Sequence, residues 1–470
     1  MNNTKQRETL TTLLNDKNSE RYINEEEIEI YETGGFFEDD EDWHCFIRER
    51  KAQSLDYSRP LNLNIMASST KCTSGINELS QRILSHTNRR LYQPSRIQLN
   101  CLLANLFFNY AQSSNLWTIV SRAHEGAIIK KYNPMGLNNE TMARLCDAMA
   151  DLQFLDKEIG YRETSKGKKD GHLTRIRATE DLIKLLKNHG WEHSILHYHP
   201  DTIPVVMKET PEGRKTSKPV DYVDTETTKT TSELLWDYHH FLRRREILLP
   251  TLLGDKVPDL IFMRQIFSNN SWQEGGRLFG GAYQQLSEDE RETITIDGDP
   301  VVEIDIASCH ATMAFAEAGR DWFKTSNQDI YQRDNLSRWP RNVIKRAFNI
   351  AINTENKKKA ISALTNADNK EGWFHNHKHL KTPGWQKVLL DEMQDAYPEI
   401  THLFFKRRGM VYMRQEGEIG LRIIADGMNR GIPVLTLHDS FIAPKQHEAT
   451  LCAIISDAFE TVVGISCHLK

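Results

Sequence analysis

The chain has 470 residues, 39% of them hydrophobic and 27% charged, with a formal net charge of −5. This length exceeds one compact core and predicts about two to four domains, in a composition typical of globular proteins in water. No apolar run reaches the roughly 18–20 residues that span a bilayer, and the polar first residues lack the apolar core of a secretory signal, so we expect a cytoplasmic protein with no membrane partner. The seven cysteines include no CxxC pair, which argues against a zinc ribbon or a disulfide framework.

Charge is unevenly distributed along the chain. Residues 24–42 are strongly acidic, whereas lysines and arginines accumulate between residues 166 and 218. Residues 1–90 are predicted to form an acidic and polar amino-terminal arm with some helices. Two interpretations of the acidic stretch stay open: a solvated arm, or a segment that docks on the protein's own basic surface or on a partner.

Residues 91–195 begin with a helical pattern, because apolar residues recur at helical spacing between residues 99 and 107. A second helix is predicted from Asn138 or Asn139, either of which is a good N-cap. Two short strands, 158–163 and 172–179, follow on either side of a basic loop. This order is that of a winged helix-turn-helix, whose hairpin can place cations on phosphates without reading sequence. An ordinary surface hairpin is the alternative.

The nucleic-acid-binding residues predicted in this hairpin are Lys166, Lys168, Lys169, Arg175 and Arg177. Residues 196–270 are predicted to be a connector or thumb-like region, with a strand at 203–207 and a helix at 232–248. The arginines at 243–245 fit either a solvated helix end or a grip on a nucleic-acid backbone.

Two apolar strands lead to aspartates in the last third of the chain. In residues 301–310 (VVEIDIASCH), Glu303 and Asp305 alternate with apolar residues, so the two carboxylates share one strand face. Residues 433–437 (PVLTL) run directly into His438 and Asp439. A carboxylate at the end of a buried strand is costly unless a cation or hydrogen bonds satisfy it. Side by side, the two strands would build a divalent-metal site for phosphoryl transfer; separately, each aspartate fits a helix cap or a turn.

The segment between the aspartates predicts a basic amphipathic helix that begins near Pro340. Its polar residues follow one another at four-residue spacing: Arg341, Lys345, Asn349 and Asn353. An arginine and a lysine one turn apart can hold a triphosphate, and the asparagines would then lie near the sugar and base. A basic helix on a solvated surface is the alternative.

Three further segments complete the prediction. Residues 275–281 (GGRLFGG) place Arg277 between glycines, whose backbone freedom would let the chain approach a ligand closely. The predicted helix 416–430 has acidic residues that are most simply interpreted as surface residues. His375, His377 and His379 alternate with other residues and fit either a polar loop or a zinc site.

In this order the segments resemble motifs of the single-subunit, phage- and mitochondrial-type RNA polymerases and of their relatives, the family A DNA polymerases. The resemblance covers about residues 271–445. It rests on residues 276–279 (GRLF), the strand ending in Asp305, the helix with Arg341 and Lys345, and His438-Asp439. Residues 438–441 (HDSF) are most similar to the RNA polymerase version.

The resemblance implies an α+β fold: a right-hand palm and fingers at 271–470, after a mostly helical amino-terminal region. Asp305 and Asp439 would bind two Mg²⁺ ions, with Mn²⁺ as the alternative. Arg341 and Lys345 would contact the phosphates of the incoming nucleotide. The remaining nucleotide-binding residues implied are Arg277, His310, Asn349, Asn353 and His438.

Two positions depart from the family pattern. Asn353 stands where both families usually have a tyrosine that helps sense the sugar. His310 stands where the DNA polymerases have a glutamate and the RNA polymerases a small residue. A bulky imidazole would exclude a 2′-hydroxyl, whereas the HDSF sequence favours ribonucleotides, so the choice of sugar stays open.

The sequence therefore predicts a template-directed nucleotidyltransferase of phage, plasmid or mobile-element origin. Its partners would be nucleic acid, as primer-template or single strand, and nucleoside triphosphates. Two alternatives stay open: an enzyme of the same fold that adds nucleotides without a template, and a non-catalytic winged-helix replication initiator or regulator with a degenerate polymerase core.

Overall fold

The structure is a computed structural model that describes residues 58–122, 129–165, 168–211, 217–250, 256–258, 260–325, 329–371 and 380–470. The acidic stretch 24–42, Lys166 and the three histidines 375, 377 and 379 lie outside the described residues. The protein is a mixed α and β structure. None of the described helices is both long and apolar enough to cross a membrane.

The strands of the described residues are β1 Arg59–Pro60, β2 Ile65–Ala67, β3 Thr118–Val120, β4 Leu155–Glu158, β5 Tyr161–Ser165, β6 Lys168–His172, β7 Thr174–Ala178, β8 Leu196–Tyr198, β9 Val205–Glu209, β10 Lys218–Val220, β11 Ile247–Pro250, β12 Lys256–Pro258, β13 Arg264–Ser268, β14 Ser271–Phe279, β15 Thr295–Ile296, β16 Asp299–Asp305, β17 Leu435–Leu437 and β18 Ser440–Pro444.

The α-helices of the described residues are α1 Thr70–Thr87, α2 Gln93–Gln112, α3 Asn139–Asp151, α4 Glu180–Asn188, α5 Glu226–Leu242, α6 Glu288–Glu292, α7 Cys309–Glu317, α8 Trp322–Thr325, α9 Arg341–Asn353, α10 Lys357–Glu371, α11 Trp385–Ala396, α12 Arg408–Asn429 and α13 Glu448–Val463.

The chain divides into two compact units. The first comprises Met1–Ile203 and Leu248–Leu260, and the second comprises Pro204–Ile247 and Ile261–Lys470. The predicted connector at 196–270 is therefore not a separate body, because most of it belongs to the second unit.

The first unit is built around α2, which is buried on most of its surface. Asparagines in this helix satisfy backbone groups of neighbouring segments. The Asn100 side chain both donates to the Ala67 carbonyl and accepts from the Ala67 amide, each at 2.9 Å. Asn105 makes the same pair of bonds with the backbone of Asn62. Buried amides are tolerated here because each one is hydrogen-bonded.

The sheet of the first unit has the order β1-β3-β7-β4, with β7 antiparallel to both of its neighbours. The predicted helix at 138 or 139 is confirmed, since α3 begins at Asn139 and the Asn138 side chain caps it. The predicted hairpin is longer than expected. The basic stretch taken for a loop continues the strands, and β5 pairs with β6 as far as Ser165 and Lys168.

In the second unit, one sheet has the order β10-β9-β13-β14, and β15, β16, β18 and β17 lie side by side in that order. The long helix α12 and the helices α7, α9, α11 and α13 share one hydrophobic core with β16 and β18. The predicted strands before Asp305 and Asp439 and the helix after Pro340 are confirmed as β16, β17 and α9.

The helix predicted at 232–248 lies earlier in the chain. It begins after Thr225, whose side chain forms a capping box with Thr228, and it ends at Leu242. The apolar stretch from Ile247 forms a strand instead of continuing the helix, because the run of large aliphatic residues ends in Pro250, and proline is not tolerated in a helix interior.

Candidate active site

Asp305 and Asp439 lie on neighbouring antiparallel strands. Asp305 ends β16, where it is paired in register with Ser440 of β18. Asp439 precedes β18 in a tight turn, in which His438 has the left-handed backbone angle φ = 56°. The Ile306 amide donates to the Asp439 carbonyl at 2.9 Å, and the Ser440 hydroxyl donates to Asp305 Oδ1 at 3.3 Å. The strand register thus brings together the two aspartates that the sequence singled out.

The segment that follows β14 holds the turn that carries Asp439 through hydrogen bonds. The Tyr283 hydroxyl donates to the Thr436 carbonyl at 2.8 Å and accepts from the Thr436 amide at 3.1 Å. Gln284 Nε2 donates to the same carbonyl at 2.9 Å and to the Leu278 carbonyl at 3.0 Å. These bonds tie the strand before Asp439 to the strand that carries Arg277.

Glu416 contributes a third carboxylate. Its side chain is 2% exposed, and carboxylate or thiol atoms of Glu416, Asp439 and Cys309 lie within 4.8 Å of one another. Burial, together with the negative charges of Glu416 and Asp305, raises the pKa of Asp439 to about 6. Asp439 therefore lies close to two further carboxylates.

Arg277 and His310 hold the buried Glu416. Arg277 Nε donates to Glu416 Oε2, and His310 Nε2 lies 3.0 Å from Glu416 Oε1, an ion-pair distance without the alignment of a hydrogen bond. Burial raises the pKa of Glu416, but His310 and Arg277 lower it further than burial raises it, to about 2. Glu416 therefore stays ionised and holds Arg277 and His310 beside the aspartates.

Two glycines allow α12 to come close enough for this contact. A Cβ atom on Gly417 would lie 1.8 Å from the Gly276 carbonyl oxygen, so only glycine fits there. Gly276 lies at a register shift between β13 and β14, with φ = 86°, a backbone angle that glycine adopts without strain. The glycines were predicted to let the chain approach a ligand; what the structure shows at Gly276 is the close approach of the helix that carries Glu416.

The interpretation of the acidic residues in 416–430 as surface groups is wrong for Glu416. The helix begins earlier than predicted, at Arg408, and Glu416 lies on its buried face. The sequence signal was the glycine that follows Glu416, since a helix keeps a glycine where another backbone must pass. Cys309, also buried beside Asp439, had no such signal.

Helix α9 presents Arg341 and Lys345 on its exposed side, as the polar stripe predicted. Arg341 Nε donates to Asp329 Oδ2 at 2.5 Å, and its guanidinium lies 5.5 Å from the centre of the Tyr331 ring. Tyr331 in turn is hydrogen-bonded to the side chain of Ser308. Arg341 is thereby connected to the loop that directly follows Asp305.

The other residues of the stripe differ in their surroundings. Within the described part of the chain, Lys345 has no carboxylate within ion-pair distance. The Asn353 side chain donates to the Asn349 carbonyl at 2.8 Å and packs so tightly on α12 that a Cβ on Gly409 would lie 2.0 Å from its Oδ1. Asn353 is thus fixed between two helices.

His438 packs against the strand that carries Arg277. Its ring meets the Phe279 ring edge to face, with centroids 5.2 Å apart. Burial and the neighbouring Arg277 lower the pKa of His438, so the imidazole is neutral near pH 7.

The hairpin arginines of the first unit are placed differently from the prediction. Arg175 is buried and donates to the Ser58 hydroxyl at 3.2 Å and to the Leu173 carbonyl. Arg177 donates to Asp156 and lies 4.7 Å from the centre of the Trp117 ring. Both guanidinium groups have partners within the unit, so the prediction that they face phosphates needs correction. The described backbone places Lys168 and Lys169 in β6.

The oxygen ligands of the site fit Mg²⁺ or Mn²⁺, since carboxylates at the ends of adjacent strands are the donors that these hard cations prefer. The structural sign of this fit is the cluster of Glu416, Asp439 and Cys309, whose potential ligand atoms lie within 4.8 Å of one another; a divalent cation bound there would neutralise the negative charge of the carboxylates.

Comparisons with known proteins give little further guidance. No family model matches the chain, and no curated protein matches it. Among solved structures, it is similar to the polymerase domain of Pol1 from M. smegmatis in complex with DNA primer-template and dNTP. That similarity has a TM-score of 0.28 and 8% identity, over 91% of this chain and 68% of the other. Similarity at this level does not establish a shared fold, so the function is argued from the side-chain geometry.

Proposed function

We propose that the protein is a template-directed nucleotidyltransferase, a nucleic-acid polymerase whose palm and fingers lie within 271–470. One observation carries this proposal: Asp305 and Asp439 lie at adjoining strand ends beside the buried Glu416, and no ion pair among the described residues neutralises Asp439. The phosphate-binding candidate Arg341 connects to the same loop through Tyr331 and Ser308.

Asp305 and Asp439 would hold the divalent ions of the site. Bound metal supplies charge neutralisation at the attacking and leaving oxygens of an in-line displacement. In that displacement a 3′-hydroxyl attacks the α-phosphorus of a nucleoside triphosphate, a new P–O bond forms, and pyrophosphate leaves. Most of the catalytic effect comes from positioned charge rather than covalent chemistry.

The remaining side chains would bind and orient the substrates. Lys345 and Arg341 would contact the triphosphate, since their four-residue spacing puts both cations on one helix face. Arg277, held by Glu416, would lie against the primer-template or the nucleotide. His310, fixed between Glu416 and the Tyr412 ring, would contact the sugar, and Asn349 and Asn353 would lie further along the nucleotide.

The neutral His438 would lie beside the primer terminus. A neutral imidazole in that place can accept or donate a hydrogen bond without adding charge to the metal site.

The first unit supports a role in nucleic-acid binding through its topology. The predicted winged helix is supported by the strand order β1-β3-β7-β4, by the position of α3 immediately before β4 and by the β5-β6 hairpin between β4 and β7. The hairpin lysines would then contact phosphates. An initiator that uses only this unit is a weaker alternative, because it gives no reason for the acidic site of the second unit.

The decisive test is incorporation of nucleotides on a primer-template with Mg²⁺ or Mn²⁺, supplied either with dNTPs or with NTPs. We expect incorporation that follows the template, and we expect Asp305→Ala and Asp439→Ala each to abolish it. Asp299→Ala, on the same strand as Asp305 but hydrogen-bonded to Gln446, is the matched control and should retain activity.

Three other outcomes would redirect the proposal. Incorporation without regard to template sequence would indicate the template-independent enzyme. No incorporation under any condition, with binding of nucleic acid intact, would indicate the initiator. Full activity of either aspartate variant would refute the metal assignment.

A further inference from the structure

The residues that follow α13 return to the active site as an extended segment. Helix α13 ends at Gly464, whose left-handed angle of φ = 84° reverses the chain. Beyond it, Ile465, Cys467 and Leu469 pack against the core of the second unit, whereas His468 and Lys470 are exposed. This period-two alternation is that of a strand with one buried face, and the apolar face anchors the segment.

The anchored segment pairs with the backbone around Asp305. The Asp305 amide donates to the Lys470 carbonyl at 2.9 Å, and the Lys470 amide donates to the Asp305 carbonyl at 3.1 Å. The Ala307 amide donates to the His468 carbonyl at 2.8 Å, and Ile306 and Leu469 form an antiparallel bridge. Asp305 and Lys470 thus exchange both backbone hydrogen bonds, as directly opposed antiparallel residues do.

The opposite edge of the backbone at residues 305–307 is also hydrogen-bonded. The amide of Ile306 donates to the Asp439 carbonyl, and Asp305 is in register with Ser440. Strand β16 ends at Asp305, where a strand would otherwise fray. With partners on both edges, the backbone that carries the carboxylate is fixed.

The Lys470 side chain lies beside the same carboxylate. Its Nζ is 3.7 Å from Asp305 Oδ2, and the side chain is 71% exposed. An exposed ion pair of this kind contributes little free energy, so the backbone pairing is the stronger of the two contacts.

We propose that residues 465–470 are a positioning element of the active site, which holds Asp305 through the backbone pair with Lys470 so that its carboxylate is presented to the metal. This inference rests on the proposed function. Lys470 acts through Asp305 and is a positioning residue. Groups that orient a metal ligand in this way typically change metal affinity or activity by about 10- to 100-fold when they are lost.

Two substitutions at one position separate the backbone from the side chain. Lys470→Pro removes the amide that donates to Asp305, because proline has no N–H, and it also removes the ammonium group. Lys470→Ala removes only the ammonium group. We measure Mn²⁺ binding to each metal-titrated protein by paramagnetic relaxation of water, and single-nucleotide incorporation at saturating substrates over a range of Mg²⁺ concentrations.

Lys470→Pro should weaken Mn²⁺ binding and raise the half-saturating Mg²⁺ concentration by about 10-fold or more, with little change in the KM for nucleotide. Lys470→Ala should change each quantity by less than about threefold. Equal effects of the two variants, or a wild-type response from Lys470→Pro, would overturn the proposal.

Thermal unfolding of each variant shows whether the site changed or the whole unit was destabilised. If Lys470→Pro lowers the midpoint, Cys467→Ser provides a second comparison, because it loosens the anchor of the segment while keeping every backbone bond to Asp305. Weaker Mn²⁺ binding by Lys470→Pro alone then supports the proposal, and equal weakening by both overturns it. The Mn²⁺ measurement needs no turnover, so a wild-type protein without polymerase activity would refute the proposed function and still test this inference.

Discussion

Asp147 in the first unit and Asp439 in the second lie in opposite electrostatic surroundings. Arg122 donates to the two oxygens of Asp147 at 2.7 and 2.8 Å, and Lys157 donates at 2.8 Å. The hydrogen bond from Arg122, aided by Lys157, lowers the pKa of Asp147 to about 2. The pKa of Asp439 is instead raised to about 6, by burial and by two neighbouring carboxylates.

The difference separates a structural charge cluster from a functional one. Around Asp147 the cations outnumber the acid, so the cluster is complete without a ligand. Asp439 has no ion-pair partner among the described residues and lies beside two further carboxylates, and this repulsion lowers the stability of the fold unless a cation binds. Electrostatic repulsion between carboxylates is expected at binding sites, and it does not stabilise the fold.

The largest effect should come from Glu416→Gln. It leaves Arg277 partly buried beside a neutral amide, and breaking a buried ion pair from one side costs about 3–5 kcal/mol. Urea unfolding measures the loss, and incorporation should fall as well because Arg277 and His310 lose their anchor. Glu418→Gln, on the same helix but paired at the surface with Arg414, is the matched control and should change stability by about 0.5 kcal/mol or less. Equal losses in the two variants would contradict the assignment.

Lys345→Ala tests whether the cations of the second unit serve a ligand. Removal of a charge that stabilises transferring phosphate typically lowers kcat by about 10²- to 10³-fold. The melting temperature should not change, since Lys345 is exposed. Lys358→Ala, an exposed lysine of α10, is the control in the same steady-state assay. Comparable loss in the two variants would show that α9 is only a basic surface.

The pH dependence of stability should have opposite signs for the two aspartates. The raised pKa of Asp439 means that the metal-free fold binds a proton more tightly than the unfolded chain. Its contribution is complete below about pH 4 and is lost as the pH rises through 6, by up to about 3 kcal/mol. Asp439→Asn should therefore stabilise the metal-free protein at pH 8, as measured by urea unfolding.

The lowered pKa of Asp147 predicts the opposite pH dependence of stability. Its stabilisation is present above about pH 4 and is lost as the pH falls through 2. The Asp147 side chain is 36% exposed, so screening limits the loss in Asp147→Asn at pH 8 to about 1 kcal/mol. If both variants were destabilised at pH 8, the surplus of negative charge at Asp439 would be disproved.

The smallest effect should be that of Arg177→Ala. Loss of the Asp156 contact and of the Trp117 ring contact should cost about 1 kcal/mol of unfolding free energy. Nucleic-acid affinity, measured by fluorescence anisotropy at several salt concentrations, should keep its salt slope. A slope that falls by about one would show that Arg177 does contact a phosphate.

Much of the site was predictable from the sequence where a local hydrophobic pattern includes or leads directly to a candidate functional residue. The alternation before Asp305, the apolar strand before Asp439 and the four-residue stripe of α9 each follow from a backbone periodicity, and the structure has these elements at those places. The hairpin strands were also predicted, but not the burial of Arg175 or the pairing of Arg177 with Asp156. A two-residue periodicity indicates which residues share one face of a strand, but it does not indicate which face is buried.

The sequence by itself determined β16, β17, α9 and the two aspartates at the strand ends, because backbone periodicity and the cost of a buried carboxylate are local properties. Only the tertiary structure decided that Glu416 lies beside Asp439 and that residues 465–470 pair with Asp305. These contacts join segments that are distant along the chain. They depend on how closely α12 passes β14, and on a turn at Gly464 that directs the following residues to β16.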